Sequence, residues 1–244
     1  MHIKLRYKKG SANTMNIAIV LSGGIGTRVG HQIPKQYIEV EGTPIIQYCL
    51  KALQNNTITD GIVIVAASEW QRRIHEWVKR DKIDKFVAFA LAGNSRQESI
   101  VNGMNVINKM YTKDEINIII HDAARPNLTD ELITKCFEGL QKADGVLPVL
   151  PVKDTIYLSQ DGKSISSLLN RDQLFAGQAP ESFKFKKYFD IHKGLTEEDL
   201  TAIRGSSEIA YKNNLNISLI SGDEHNYKIT TKTDLEKFKT EMRK

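Results

Sequence analysis

The chain has 244 residues, of which 41% are hydrophobic and 26% charged, a composition typical of a soluble protein with one sizeable α/β domain. No apolar run approaches the ~20 residues of a membrane span, and no apolar stretch follows the basic N-terminus as a secretory signal would require. Four of the basic residues behind the net charge of +5 precede Met15, so the remainder is nearly neutral and does not favour nucleic-acid binding. We expect residues 1–14 to be a disordered basic extension and residues 15–244 to form one domain.

Strand-like and helix-like segments alternate up to Pro151. The strands are continuous apolar runs, which indicates a sheet covered on both faces. The alternation therefore predicts an α/β fold with a mostly parallel central sheet flanked by helices. Predicted strands span residues 17–21, 62–66, 86–91, 116–120 and 146–149, and predicted helices span 44–54, 69–80, 97–110 and 130–141. Thr43 before Pro44 predicts an N-cap, and Ser68 with Gln71 predicts a capping box.

The rhythm changes after Pro151. Two short apolar segments, 155–158 and 164–168, flank an Asp-Gly turn and predict a β-hairpin arm over about residues 153–170. The arm would expose apolar side chains unless a partner covered them, so we expect a homodimer. The rest of the chain is predicted to contain helices over 186–192 and 207–213, a polar connector over 195–204, a strand over 217–221 and a final helix from Thr233.

The segment after the first strand carries glycines and two cations. Its residues of interest are Leu21, Ser22, Gly23, Gly24, Arg28 and Lys35. Glycines let backbone N–H groups approach phosphate oxygens closely, and fixed cations neutralise a triphosphate. Val29 stands where a dinucleotide fingerprint needs its third glycine, and Arg28 follows Thr27 where a Walker loop needs lysine. The segment therefore predicts a phosphate-binding loop of another class.

Polar and charged residues also follow the other predicted strands. They are Gly93, Asn94, Arg96 and Ser99 after the third strand, Asp122, Ala123 and Arg125 after the fourth, and Asp154 and Thr155 after the fifth. The carboxyl ends of parallel strands share one edge of a sheet, where ligands of such folds bind. We therefore expect a nucleotide site at this edge. The six histidines lack metal-ligand spacing and the two cysteines form no Cys-x-x-Cys pair, which argues against a zinc site. The sequence contains no Gly-x-Ser-x-Gly elbow, which argues against an α/β-hydrolase.

Six motifs occur in the order seen in one enzyme family. They are Gly23-Gly24-Ile25-Gly26-Thr27-Arg28 with Pro34-Lys35-Gln36-Tyr37, Gly93-Asn94-Ser95-Arg96-Gln97-Glu98-Ser99, His121-Asp122-Ala123-Ala124-Arg125-Pro126, Asp154-Thr155, Asn170-Arg171, and Asn226-Tyr227-Lys228-Ile229-Thr230. From Met15 to Leu235 the chain resembles the cytidylyltransferases that act on 2-C-methyl-D-erythritol 4-phosphate or on D-ribitol 5-phosphate. The resemblance implies a Rossmann-like nucleotidyltransferase domain that converts CTP and an alditol phosphate into a CDP-alditol and pyrophosphate. It also implies Mg²⁺, whose ligands it leaves unknown, and supports a homodimer formed through the arm. Composition, charge and the two cysteines predict a cytoplasmic location without nucleic-acid or membrane partners.

By the same resemblance, each motif has a role. Arg28, Lys35 and Lys228 would be catalytic residues, the first two gripping the triphosphate. The CTP-binding residues would be Leu21, Ser22, Gly23, Gly24, Gly93, Asn94, Arg96, Ser99 and Ala123. The alditol phosphate would be bound by Asp122, Arg125, Thr155 and Arg171, with Lys228 also holding its phosphate. The nucleophile is an anionic phosphate oxygen, so the reaction needs charge neutralisation and in-line positioning rather than a strong base.

Departures from the family pattern bear on substrate choice. Ala179 and Glu181 stand where the family often has Thr and Gln, and Ser206-Ser207 replaces a usual Thr-Asp pair. The motifs around Arg96 and Asp122 resemble methylerythritol enzymes, whereas residues 176–178 and 195–200 resemble ribitol enzymes. The leading acceptor is 2-C-methyl-D-erythritol 4-phosphate and the alternative is D-ribitol 5-phosphate. A nucleotidyltransferase with another base or sugar phosphate, and a non-catalytic relative, are further alternatives.

Overall fold

A central sheet of mostly parallel strands organises the computed structural model, which describes residues 14–24, 33–111, 115–203 and 205–243. The strands in these ranges are β1 (Met15–Leu21), β2 (Glu39–Val40), β3 (Thr43–Pro44), β4 (Gly61–Ala66), β5 (Phe86–Leu91), β6 (Ile116–Asp122), β7 (Gly145–Pro151), β8 (Tyr157–Leu158), β9 (Ser167–Leu168), β10 (Phe175–Gly177), β11 (Glu181–Lys184) and β12 (Ile217–Ser221). The helices are α1 (Ile45–Asn55), α2 (Ser68–Arg80), α3 (Arg96–Met110), α4 (Asp130–Gly139), α5 (Phe185–Asp190), α6 (Glu197–Ala202), α7 (Ser206–Lys212) and α8 (Lys232–Met242). These elements confirm the predicted α/β class.

The order of strands places β1 at the centre of the sheet. β1 pairs in parallel with β4 and β6, β4 pairs in parallel with β5, and β12 pairs in parallel with β7. β11 lies antiparallel between β6 and β7, and β10 continues along the same edge of β7. The carboxyl ends of β1, β4, β5 and β6 consequently meet at one edge of the sheet. Late-chain residues reach the same sheet through β10 and β11.

Both faces of the sheet are buried, as the continuous apolar strands predict. On one face Val20 and Ile64 pack with Leu50 of α1 and Trp77 of α2. On the other face Ile19 and Val65 pack with residues of α3, α5 and α7. Alternate residues of one strand point to opposite faces, so a strand in this position must be apolar throughout. All six residues of β4 are buried, in agreement with this reasoning.

Two predicted helix caps are wrong. Thr43 and Pro44 form β3, which pairs with β2, and Pro44 rather than Thr43 precedes α1 without a side-chain cap. Ala67 is the residue before α2, so Ser68 already lies inside the helix and no capping box forms there. The amide of Gln71 instead donates to the carbonyl oxygen of Ala66 at 3.2 Å. Strand pairing sets the start of α1, and the extended backbone of Ala67 sets the start of α2; the local sequence reveals neither.

The part of the chain after Pro151 agrees with the prediction in outline. β8 and β9 pair as an antiparallel hairpin, which confirms the arm, although only two residues of each strand are paired. The carboxylate of Asp161 accepts from the backbone N–H groups of Lys163 and Ser164, and Gly162 has a φ of +69°, which a glycine adopts readily. The predicted polar connector is wrong in part, because it contains α6 with a capping box formed by Thr196 and Asp199. Strands β10 and β11 are not predicted.

The predicted extension over 1–14 lies, apart from Thr14, outside the described residues. None of the helices in the described ranges combines the length and apolar character that a bilayer span requires.

Candidate functional site

A cleft of about 720 Å³ opens at the carboxyl edge of the sheet. Ten residues predicted to belong to the site line it: Leu21, Gly23, Gly24, Lys35, Gly93, Asn94, Arg96, Ser99, Asp122 and Lys228. The first strand, the third predicted strand and the late Lys228 segment therefore meet in space. The structure confirms their proximity, and their chemical roles stay predictions. Arg28 lies outside the described residues.

Two predicted nucleotide-binding residues lie behind the wall of the cleft. Ser22 is buried and its hydroxyl donates to the phenol oxygen of Tyr37 at 2.6 Å. Ala123 is also buried, its backbone N–H donates to the carbonyl oxygen of Leu21, and its neighbour Ala124 is the residue that lines the cleft. Neither side chain is placed to touch a ligand in the cleft, so any role of these residues is through the backbone.

Gln36 fixes the glycine loop after β1. Its side-chain amide donates to the carbonyl oxygens of Ser22 at 2.7 Å and Gly24 at 2.8 Å. Tyr37 donates to the same Ser22 carbonyl at 2.8 Å. Gln36 and Tyr37 are buried, so these bonds are shielded from water and hold the backbone of residues 22–24 in place. Sequence reasoning assigned Gln36 no role. Its position directly after Lys35 in the motif is the one sequence feature that would have drawn attention to it.

The loop after β5 approaches the first loop closely. A Cβ atom added at Gly23 would lie 2.4 Å from the Cβ of Ala92, and one added at Gly93 would lie 2.6 Å from the side chain of Glu98. Glycine at these positions is therefore required by close approach. Ser99 accepts a hydrogen bond from the backbone N–H of Gly93 at 3.0 Å, which fixes the second loop beside the start of α3.

The N-terminus of α3 faces the cleft. Ser95 caps this 15-residue helix by accepting from the backbone N–H of Glu98, and Arg96 is its first residue. Partial positive charge at a helix N-terminus favours an anionic ligand. The helix therefore adds to the positive field of the Lys35 and Lys228 side chains that line the same cleft.

Asp122, at the end of β6, is surrounded by three cations. Its carboxylate lies 2.9 Å from the ammonium nitrogen of Lys228, 3.5 Å from Nε of Arg96 and 3.8 Å from Nε of Arg125. Burial opposes ionisation of this carboxylate, but Lys228 and Arg96 more than offset that effect and hold its pKa below the usual range. Asp122 is therefore ionised at neutral pH and orders three cationic side chains that the sequence places far apart.

Glu181, at the start of β11, forms a second pair with Arg96. Its Oε1 lies 3.0 Å from a terminal guanidinium nitrogen, and the other terminal nitrogen contacts the hydroxyl of Ser206. Burial raises the pKa of Glu181, whereas the neighbouring Arg96 works against that rise. Arg96 is thus held by β6, β11 and α7 together. Sequence reasoning noted Glu181 as a departure from the family but gave it no role in the site.

His121 is buried beside this cluster and is uncharged. Burial lowers its pKa to about 4, and its Nε2–H donates to the carbonyl oxygen of Arg125 at 3.0 Å. This bond closes the turn that carries Asp122 and Arg125. The terminal nitrogen of Arg125 in turn donates to the carbonyl oxygen of Asn226 at 2.6 Å, which connects the turn to the segment bearing Lys228.

A smaller lobe of about 190 Å³ adjoins the cleft and shares Arg96 and Asp122 with it. Its remaining walls are Arg125, Leu147, Gly177, Gln178, Ala179, Glu181 and Ser207. The two spaces together provide one large and one small compartment on either side of Arg96 and Asp122. Such an arrangement suits two ligands that must meet.

Thr155 and Arg171 are not brought into either compartment. Both are exposed, and Arg171 donates to the carbonyl oxygen of Lys153 at 3.1 Å at the base of the arm. Their predicted role in binding a phosphate therefore has no support within the single described chain.

The comparison with known families identifies the fold and the chemistry together. The family model described as IspD, 2-C-methyl-D-erythritol 4-phosphate cytidylyltransferase, matches residues 16–244. The chain belongs to this family. It is accordingly a cytidylyltransferase, and the cleft with its glycine loops and cations is the candidate active site.

Relatives within the IspD family carry two names. A ribitol-5-phosphate cytidylyltransferase of Streptococcus agalactiae is 30% identical over 226 residues, which cover 92% of this chain and 94% of the relative. A 2-C-methyl-D-erythritol 4-phosphate cytidylyltransferase of Clostridium tetani is 34% identical over 220 residues, 90% of this chain and 87% of the relative. The solved structure of 4-diphosphocytidyl-2C-methyl-D-erythritol synthase from Anaerococcus prevotii superposes with a TM-score of 0.79 at 22% identity, covering 95% and 97% of the two chains. This structure supports the fold.

Proposed function

We propose that this IspD-family enzyme transfers CMP from CTP to the phosphate of a five-carbon alditol phosphate and releases pyrophosphate. The observation that carries the proposal is the two-compartment site around Arg96 and Asp122. CTP occupies the cleft with its base at the Gly93–Ser99 loop and its triphosphate at Lys35. The acceptor occupies the lobe, with its phosphate directed toward Lys228.

The charges of the site match this reaction. Among the described residues that line the two compartments, the cations are Lys35, Arg96, Arg125 and Lys228, and the carboxylates are Asp122 and Glu181. The resulting excess of positive charge favours the approach of two phosphate-bearing substrates, which repel each other in water. Preorganised positive charge of this kind stabilises the phosphoryl-transfer transition state.

Proton transfer contributes little in this scheme. The attacking group is a phosphate oxygen that is already anionic at neutral pH. His121 is buried, uncharged and bonded to the carbonyl oxygen of Arg125, so its geometry suits a structural role in the turn. Arg96 and Asp122 lie between the compartments and orient the two substrates so that the oxygen attacks the α-phosphorus in line.

Mg²⁺ is proposed to enter with the nucleotide. Within the described ranges no three histidine, cysteine or acidic side chains are grouped as a metal site. Both oxygens of Asp122 are ion-paired, Oδ1 with Arg96 and Oδ2 with Lys228. Mg²⁺ commonly keeps several waters and binds through substrate phosphates, and a site poor in unpaired carboxylates suits a metal ion held mainly by the triphosphate. When bound, it would neutralise negative charge on the phosphate oxygens.

The leading acceptor is 2-C-methyl-D-erythritol 4-phosphate, because the matching family model carries that name. The second candidate is D-ribitol 5-phosphate, which the name of the Streptococcus agalactiae relative favours. A pyrophosphate-release assay with CTP and Mg²⁺ should show turnover with one of these acceptors and much weaker turnover with UTP or ATP. Absence of pyrophosphate release with either acceptor would refute the proposed function.

We further propose that the arm forms a homodimer. Its apolar side chains Tyr157, Leu158, Ile165 and Leu168 are between 48% and 68% exposed. An apolar surface of this kind is normally covered by a partner. In a dimer, Thr155 and Arg171 would extend toward the partner's lobe and hold the acceptor phosphate there. Sedimentation should show a dimer that Leu168→Glu dissociates, and a wild-type enzyme that is active as a stable monomer would refute the proposal.

A cytoplasmic location belongs to the same proposal. Cys49 and Cys136 are both buried as free thiols. Buried unpaired thiols suit a reducing compartment, where CTP is also available.

A further inference from the structure

Two polar atoms of the lobe have no hydrogen-bond partner within the described part of the chain. They are the acceptor Oε2 of Glu181 and the donor Nε of Arg125, and both are buried. Glu181 uses its other oxygen to pair with Arg96, and Arg125 uses a terminal nitrogen to bond the carbonyl oxygen of Asn226. Nε of Arg125 lies within ion-pair distance of Asp122, at 3.8 Å, so Glu181 is the side chain with an acceptor left over.

Gln178 and Asp122, which also line the lobe, are already engaged. The amide of Gln178 donates to the carbonyl oxygen of Asp223 at 2.9 Å and accepts from its backbone N–H at 3.0 Å. The carboxylate of Asp122 is paired with Lys228 and Arg96. A ligand in the lobe therefore meets an unused acceptor oxygen at Glu181, next to the guanidinium group of Arg125.

This combination fits a hydroxyl-bearing ligand. A hydroxyl group both donates and accepts, so a hydroxyl that donates to Glu181 keeps its own oxygen available for a neighbouring guanidinium group. A buried acceptor left unsatisfied is costly, and a hydrogen bond to a charged group is stronger than one between neutral groups. An ionised carboxylate accepts only, so Glu181 selects a group that donates, whereas the Gln that the family often carries at this position would also offer donors.

We propose that Glu181 is a specificity-determining residue that accepts a hydrogen bond from a hydroxyl group of the acceptor alditol. The inference rests on the proposed function, because it places the alditol in the lobe. Pairing with Arg96 accounts for Oε1 of Glu181 and leaves Oε2 without a hydrogen-bond partner among the described residues. Glu181 lines the lobe and not the larger cleft, so it lies on the side where the acceptor rather than CTP is proposed to bind.

Glu181→Gln tests the proposal with little change of shape, since Gln keeps one oxygen for Arg96. The measurements are KM for the acceptor at saturating CTP, KM for CTP at saturating acceptor, and the thermal midpoint. We expect the acceptor KM to rise by about 10–100-fold, the loss typical of one charge-assisted hydrogen bond, while KM for CTP stays within about threefold. Should Glu181→Gln fail to fold, Glu181→Asp withdraws the same oxygen by one methylene and should show the same split.

A second measurement uses acceptors that lack single hydroxyl groups. The wild-type enzyme should discriminate against one such deoxy analogue, and Glu181→Gln should lose most of that discrimination. An unchanged acceptor KM, or a rise confined to KM for CTP, would overturn the proposal and assign Glu181 to Arg96 alone. Failure of the wild-type enzyme to release pyrophosphate with CTP and any acceptor would instead refute the proposed function, so the two failures are distinguishable.

Discussion

One methyl group added at Gly23 should disable the cleft while the rest of the fold persists. The Cβ of Gly23→Ala would lie 2.4 Å from the Cβ of Ala92, whereas two such carbons normally rest about 3.5–4.0 Å apart. The two loops must therefore separate by about 1 Å. Neither loop moves freely, because Gln36 holds the carbonyl oxygens on both sides of Gly23 and Ser99 holds Gly93.

The size of the effect follows from that displacement. Overpacking by one methyl group in a well-packed region typically costs about 1–3 kcal/mol in the free energy of unfolding. A misplacement of about 1 Å in a site that acts by positioning can cost about 10²-fold in rate. We expect Gly23→Ala to lose about 1–3 kcal/mol of stability and about 10²-fold in kcat/KM for CTP.

Urea unfolding and a steady-state pyrophosphate-release assay measure the two effects. Gly24→Ala is the matched control for stability, because a Cβ at Gly24 meets no atom of the described residues within 4 Å. Ala92→Gly removes the carbon that clashes, so the double variant Gly23→Ala/Ala92→Gly should recover most of the stability lost by Gly23→Ala. A Gly23→Ala enzyme within about threefold of wild-type activity and as stable as Gly24→Ala, or a double variant without recovery, would show that the loops are not constrained as described.

Three further predictions concern charge. Lys35→Ala and Arg28→Ala should each lower kcat by about 10²–10³-fold, as expected for loss of one preorganised contact to the transition state. A steady-state kcat within about threefold of wild type would show that the substituted residue does not have that role. Asp122→Asn should lower the free energy of unfolding in urea by about 3 kcal/mol, the low end for breaking a buried pair, because Lys228 and Arg96 reach solvent. A smaller loss than the one caused by Lys228→Ala would contradict the central place of Asp122 in the cluster. Burial holds the pKa of His121 at about 4, against an ordinary 6.5, so the free energy of unfolding should fall by about 3 kcal/mol as the pH drops from 6.5 toward 4. His121→Gln should make the free energy of unfolding less dependent on pH over this range. An equally steep dependence in that variant would rule out His121 as its source.

The sequence predicts the early half of the site well because the early half is local. Glycines and cations follow β1, polar residues follow β5, and Asp122 ends β6, so the rule that parallel strands share a carboxyl edge is enough to bring them together. The strand bounds agree within two residues, and Phe86–Leu91 matches at both ends. Periodicity and the positions of Gly and Pro contain this information without any tertiary contact.

The rest of the site depends on contacts between distant segments. Glu181 reaches Arg96 because β11 enters the sheet antiparallel between β6 and β7, an arrangement that the local pattern of residues 181–184 does not reveal. Gln36 acts by bonding a loop twelve and fourteen residues away, and glutamine has no pattern of its own that predicts this. Thr43 and Ser68 have the residue types of caps, but strand pairing and the extended Ala67 determine where α1 and α2 begin.

The central claim is that fixed positive charge at one edge of the sheet brings two anionic substrates together around Arg96 and Asp122. A crystal structure of the enzyme with CTP and Mg²⁺ measures this most directly. We predict the cytosine beside Gly93 and Ser99, the triphosphate within contact of Lys35, and the α-phosphate facing the lobe. A nucleotide bound away from Lys35 and the Gly93 loop would contradict the account.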